Sequence, residues 1–182
     1  MILASASPRR KELLSLITAD FRVVISGADE TCAVKDPRSL VRLLAERKAY
    51  SVAEKYPGET VIGADTVVEA DGEVFGKPKD EADARRMLGR LSGCTHFVHT
   101  GVCVVRGEKH LAKTFTTKVR FRKLADGEID LYLKQEDVAD KAGAYAIQGP
   151  AAKFVEGIDG CFFNVVGLPV SGLYGMLKEL EG

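Results

Sequence analysis

Net charge is the first thing missing from this chain. Lysine and arginine total 26 and aspartate and glutamate total 26, so the formal net charge at pH 7 is zero. A non-specific nucleic-acid binder carries a basic excess, and none is present, although a balanced total leaves room for a local basic pocket. No apolar run approaches the roughly 18 residues of a membrane span. The N-terminal MILASASPRR has too short an apolar stretch for a signal peptide, and its basic residues follow that stretch instead of preceding it. The four cysteines, Cys32, Cys94, Cys103 and Cys161, include no C-x-x-C pair. Reduced, mostly buried thiols in a cytoplasmic protein are expected. Histidine is scarce, and His96 and His99 lie in an alternating stretch where positions i and i+3 face opposite sides of a strand. That spacing argues against a zinc site. Repeats, low-complexity tracts and long Pro/Gly/Ser linkers are also missing.

What is present reads as an ordinary globular protein. The 182 residues predict a single domain, 1–182, with room for one sizeable core. Hydrophobic residues at 46% and charged residues at 29% argue against disorder. Short strands and helices alternate, which predicts a mixed α/β fold: a central mixed sheet flanked by helices, its two halves forming lobes around a cleft. A strand is expected at 1–4, then a helix capped by Ser7 and opened by Pro8. A second strand is expected at 21–26, and Asp36-Pro37 opens a second helix with Leu40, Leu43 and Leu44 on one face. The run 59–68 reads as a strand that Asp71-Gly72 turns into a hairpin. Asp80 caps a third helix, which Gly93 ends. The alternating runs 95–105 and 111–121 predict an antiparallel pair. Asp126 is expected to cap a short helix. Strands at 145–148, 154–158 and 162–166 and a closing helix at 170–180 complete the pattern.

Five segments can carry chemistry. In Ser5-Ala6-Ser7-Pro8-Arg9-Arg10 a strand feeds a helix start, where unpaired N–H groups, two hydroxyls and two guanidiniums suit phosphate. In Ile62-Gly63-Ala64-Asp65-Thr66-Val67 an acidic residue interrupts an apolar strand. Such a carboxylate is costly to bury unless paired or metal-bound, so Asp65 is a candidate metal ligand or general base, or a carboxylate bonded to backbone in a bulge. Asp29-Glu30 can bring a further carboxylate. Lys48 and the lysine of Gly76-Lys77-Pro78 can reach phosphate, or can be plain solvated lysines. In 140–149, DKAGAYAIQG, two glycines allow close backbone approach to a ligand, and Gln148 offers the donor and acceptor needed to read a base edge; a tight turn before a core strand explains the same residues structurally. The fifth, NVVGLP near the C-terminus, is explained by a strand, a glycine turn and a proline-opened helix.

In this order the segments SASPRRKELL, ADE, LAERKA, IGADTVV, GKP, LSGCTHFVHTGV, DKAGAYAIQG and NVVGLP resemble the Maf family of nucleoside triphosphate pyrophosphatases, once described as septum-formation inhibitors. The resemblance spans almost the whole chain. It implies an α/β fold like that of inosine triphosphate pyrophosphatases, and metal-dependent hydrolysis of a nucleoside triphosphate to the monophosphate and pyrophosphate. It implies Asp65 as the proton acceptor. In the subgroup acting on dTTP and UTP it implies Arg9, Thr66 and Gln148 as determinants of specificity. Cys94 and Cys161 depart from the family pattern, standing where a basic or polar residue and a serine are frequent.

A mechanism on this basis has Glu30 and Asp65 holding Mg²⁺ or Mn²⁺, with Ser5, Ser7, Arg10, Lys48 and Lys77 on the phosphates. The expected partner is a small-molecule nucleotide, with no nucleic acid and no membrane; a homodimer is allowed. The alternatives are a nucleotide-binding regulator of division without catalysis, and a purine enzyme acting on inosine, xanthosine or 7-methylguanosine triphosphate. A phosphatase of the haloacid dehalogenase kind is disfavoured, because Val67 stands where that family needs a second aspartate.

Overall fold

The computed structural model describes residues 1–181. In chain order the elements are β1 (Ile2–Leu3), α1 (Pro8–Ser15), β2 (Arg22–Val23), α2 (Pro37–Ala53), β3 (Val61–Ala70) and β4 (Glu73–Phe75). Then follow α3 (Glu81–Leu91), β5 (Thr95–Arg106), β6 (Lys109–Phe121), α4 (Asp126–Gln135), β7 (Val155–Asp159), α5 (Phe162–Val166) and α6 (Val170–Glu181). The strands form one sheet in the order β2-β1-β3-β5-β6-β7, with β4 paired to β3 off that path. β1 runs parallel to β2 and β3, while β4 and β7 pair antiparallel with β3 and β6. The mixed α/β architecture is therefore as expected.

The chain is organised as two compact units. The first comprises Met1–Asp65, His99–Phe115 and the segment from Phe163 onward; the second comprises Thr66–Val98 and Thr116–Phe162. The boundaries fall inside β3, β5, β6 and α5, so each unit is assembled from separated stretches of sequence.

Local chemistry explains most element ends. Ser7, Asp36 and Asp80 each accept a backbone N–H in the first turn of the helix they precede. That satisfies one of the donors every helix start leaves orphaned. At α4 the expected cap is displaced by one residue. Ala125 is the N-cap, Asp126 is already helical, and the Glu128 carboxylate reaches back to the Ala125 N–H.

In the first unit, Ile2, Ala4, Ala45, Ala49, Val52, Val61, Cys103 and Val105 form one buried cluster. α2 turns Val41, Leu44, Ala45, Ala49 and Val52 inward, a stripe rotated from the expected one, because Leu40 and Leu43 are only half-buried. The small residues of this stripe let the helix backbone approach the sheet. The second unit has an aromatic centre: Phe121 meets His96, Tyr145 and Phe154 edge to face, with ring centroids 4.8, 4.8 and 6.0 Å away. All four cysteines are free, and only Cys103 is fully buried; the other three are half-buried, less than expected.

Two expected strands are not strands. Residues 145–148 form no ladder; the preceding Gly143 and Ala144 have φ of 67° and 61°, which turns the chain out of the extended path. The Gly149 N–H then bonds the Ala146 carbonyl in a local turn. Residues 162–166 form α5, closed by the Gly167 N–H on the Phe163 carbonyl. A short apolar run has too few residues to distinguish the two periods, so tertiary context decides.

His96 shows how burial fixes a protonation state. Its Nε2 lies 2.8 Å from the Tyr145 hydroxyl, and its side chain is fully enclosed. Burial lowers its pKa to about 4 from the ordinary 6.5, against a smaller opposing bond from the Cys94 backbone. As pH falls through this window the unfolded chain takes up a proton that the folded one refuses. Stability therefore falls on acidification, by about 3 kcal/mol once pH reaches the folded value. Urea unfolding measured from pH 7 to pH 4 is expected to show this loss, and His96→Gln, which stays neutral, is expected to flatten it.

Candidate active site

Asp65 sits midway along β3 behind four buried residues, and its side chain needs a partner there. Lys48 supplies it: Nζ lies 2.6 Å from Asp65 Oδ1 and 2.9 Å from Glu30 Oε1. The Lys48 and Asp65 side chains are each 12% exposed and Glu30 is 59% exposed, so Glu30 is the outer member of the cluster. Lys48 reaches Asp65 because α2 lies directly on β3. A Cβ at Gly63 would sit 2.3 Å from the Ala45 carbonyl oxygen and 2.7 Å from the Ala49 nitrogen. Gly101 does the same one strand over, where a Cβ would sit 2.1 Å from the Val41 carbonyl oxygen.

Arg10 enters the same cluster from α1. Its Nε donates to the Gly167 carbonyl and its Nη1 to the Ala64 carbonyl, both at 2.9 Å. A longer bond of 3.4 Å joins Nη1 to Ser5 Oγ, which also accepts from the Ser7 N–H. Burial lowers the Arg10 pKa; the charges of Asp65 and, more weakly, Glu30 oppose that fall, and Arg9 adds to it. One of its donors thus braces the backbone next to Asp65 and another holds the Gly167 carbonyl, a use beyond the phosphate contact expected from sequence. Ser7 spends its hydroxyl on the Arg10 N–H as the helix cap.

The expected residues divide between the units. Ser5, Ser7, Arg9, Arg10, Glu30, Lys48 and Asp65 belong to the first, and Thr66, Lys77 and Gln148 to the second. Glu30, Lys48 and Asp65 form one bonded cluster, which Arg10 adjoins through the Ala64 carbonyl and Ser5 through Arg10. In the second unit Thr66 is half-buried, and Lys77 and Gln148 are exposed. Two participants escaped the sequence reading. The Gly167 carbonyl is a backbone atom without a side-chain signature. Gly63 was given no role of its own within its strand, and its signal was the Ala45 and Ala49 spacing on the helix opposite.

The donor set bears on the expected metal. Glu30 and Asp65 present hard oxygens to one cation already, the Lys48 ammonium, so the pair suits a positive charge. Among the described residues, no group of three or more His, Cys, Asp or Glu side chains could hold a metal ion. Two carboxylates completed by substrate oxygens match Mg²⁺ bound together with a polyphosphate, not a closed protein cage.

A family description, Maf-like protein, matches residues 1–180. The chain belongs to the Maf family. This Maf chain is 49% identical to the dTTP/UTP pyrophosphatase of Symbiobacterium thermophilum over 180 residues, 98% of this chain and 93% of the relative. It is 47% identical to the protein of the same name from Bacillus cytotoxicus, over 99% of this chain and 95% of that one. Its counterpart in Thermococcus gammatolerans is 49% identical over 99% and 96% of the two chains. Among solved structures, the Staphylococcus aureus Ham1 protein matches with a TM-score of 0.48 at 16% identity, over 69% of the Maf chain and 71% of its own. Among the described residues, no helix is long and apolar enough to cross a membrane.

The helix-on-strand contact gives a direct test. Gly63→Ala inserts a methyl group against the α2 backbone, which has no side-chain freedom with which to yield. Overpacking of this kind costs about 3 kcal/mol. Urea unfolding should show that loss as a lower midpoint with an unchanged slope; a loss below about 0.5 kcal/mol would mean that the helix stands off the strand.

Proposed function

We propose that this protein hydrolyses dTTP and UTP to the monophosphates and pyrophosphate. One observation carries the reading: relatives bearing that activity in their names share 47–49% of residues with this chain over nearly all of its length. The chemistry of the first unit supports it. Hydrolysis between the α- and β-phosphates requires charge neutralisation, an aligned water and a stabilised leaving group.

Asp65 is the group we assign to orient the attacking water and accept its proton. Lys48 offsets part of the charge of Asp65 and Glu30 before substrate arrives and can turn toward a phosphate oxygen when it does. Arg10 holds the Ala64 carbonyl and so fixes the backbone that presents Asp65. Arg9 and Lys77 are assigned to phosphate oxygens, and Thr66 and Gln148 to the pyrimidine edge. Glu30 and Asp65 would hold a divalent cation, Mg²⁺ or Mn²⁺. That ion would supply charge neutralisation on the polyphosphate. With four free cysteines and a nucleotide substrate, we assign the enzyme to the cytoplasm.

The deciding experiment is a panel of canonical and modified triphosphates offered to the purified protein with Mg²⁺, Mn²⁺ or chelator, with both products identified. Pyrophosphate and monophosphate are expected from dTTP and UTP, with no turnover in chelator; orthophosphate as the first product would overturn the reading. Asp65→Asn is expected to keep nucleotide binding and to lower kcat by at least about a hundredfold, the scale of a lost acid–base group. Near-normal kcat in that variant would remove Asp65 from its role.

A further inference from the structure

Three of the residues assigned above to the nucleotide, Thr66, Lys77 and Gln148, lie in the second unit, and a single glycine touches the segments that carry all of them. The Gly143 N–H donates to the Gly76 carbonyl at 3.0 Å, the residue immediately before Lys77. A Cβ at Gly143 would sit 2.9 Å from Val68 Cγ2, on the strand that carries Thr66. Gly143 also begins the stretch that ends at Gln148. It has φ 67°, and Ala144 follows at φ 61°. A left-handed alanine costs on the order of 1 kcal/mol and persists only where its surroundings hold it.

Here they do. Downstream, Tyr145 is buried with its hydroxyl on His96 Nε2, and the Ala146 N–H reaches the Tyr132 hydroxyl at 3.4 Å. Ile147 is buried and Gln148 is exposed, presented by the turn that the Gly149 N–H closes on the Ala146 carbonyl. The missing side chain of Gly143 therefore admits a neighbouring strand, and not a ligand as its sequence context suggested.

We propose that Gly143 is a positioning residue for substrate selection, locking the Lys77 turn, the Thr66 strand and the Gln148 segment into one assembly. The proposal rests on the reading that these three residues contact the nucleotide. Its consequence is that phosphate contact and base reading are not set independently. A shift at Gly143 moves the Gly76 carbonyl and the start of the Gln148 segment together. A turn that served folding alone would change stability and leave the choice of base untouched.

The test compares the unaltered enzyme with Gly143→Ala, Val68→Ala and the double variant. Three quantities are measured: kcat/KM for dTTP, its ratio to that for dCTP, and hydrogen exchange of residues 75–79. Gly143→Ala is expected to lower kcat/KM for dTTP by about ten- to a hundredfold, the scale of a misplaced binding group. The dTTP to dCTP ratio should fall with it, and residues 75–79 should exchange faster. Adding Val68→Ala, which opens the space the methyl needs but leaves an alanine at φ 67°, should restore part of the ratio and leave some of the faster exchange at 75–79. An unchanged ratio with unchanged exchange at 75–79 overturns the proposal. Should Gly143→Ala not fold, the double variant is compared with Val68→Ala alone. Faster exchange at 75–79 in the double then supports the coupling, and equal exchange overturns it. Pyrophosphate release from dTTP by the unaltered enzyme is measured first. Its absence removes the functional reading itself, whereas its presence with unchanged selectivity in Gly143→Ala removes only the coupling.

Discussion

The Lys48 ammonium lies between two carboxylates that would otherwise repel one another, and the chemistry assigned to the first unit depends on it. Near a protein surface, unit charges about 4 Å apart interact by roughly 4 kcal/mol. Desolvation of a shielded pair takes back much of that gain, so such a pair is weak evidence of stabilisation. Under the proposed function its placement makes more sense as preparation. A polyphosphate brings more negative charge than either carboxylate, and an ammonium already held there has little distance to travel. The exposed member, Glu30, leaves the outer side of the cluster open to solvent.

That ion pair is a product of backbone geometry. α2 lies on β3 and β5 without side chains between them at Gly63 and Gly101, and its inward stripe is half alanine where it crosses β3. Larger residues at these points would hold the helix away by the width of a methyl group. Lys48 would then lose its 2.6 Å contact with Asp65. Arg10 performs a complementary task, tying the Ala64 and Gly167 carbonyls to α1. The carboxylate is thus positioned by two helices and a strand, and its own side-chain rotamer is the last variable to be fixed.

Much of this was legible in the sequence. Helix starts at Ser7, Asp36 and Asp80 announce themselves because capping is local chemistry, complete within four residues. The mixed α/β class follows from alternation of periods over long runs such as β5 and β6. Asp65 stood out because an acid in an apolar strand demands an explanation. What the sequence hid was non-local. Residues 145–148 and 162–166 carry strand-like composition, but positive φ at Gly143 and Ala144 and the helical turn closed at Gly167 are decided by what lies next to them in space. The dual use of Arg10 was equally hidden, since a guanidinium on backbone carbonyls and one on phosphate come from the same letter. The inward stripe of α2 was misjudged by one residue, because leucine seemed the better core candidate while the close approach selected alanine.

Each of the two units is stitched from segments far apart in sequence, with the crossings inside β3, β5, β6 and α5. Neither can be excised as one contiguous stretch of polypeptide. A break in β5 or β6 divides both units between two fragments and one in β3 divides the first, so a cut there yields no fragment that holds both units whole. Ribosomal synthesis meets the same constraint: the first unit cannot finish assembling until α6 has emerged, after every part of the second already exists.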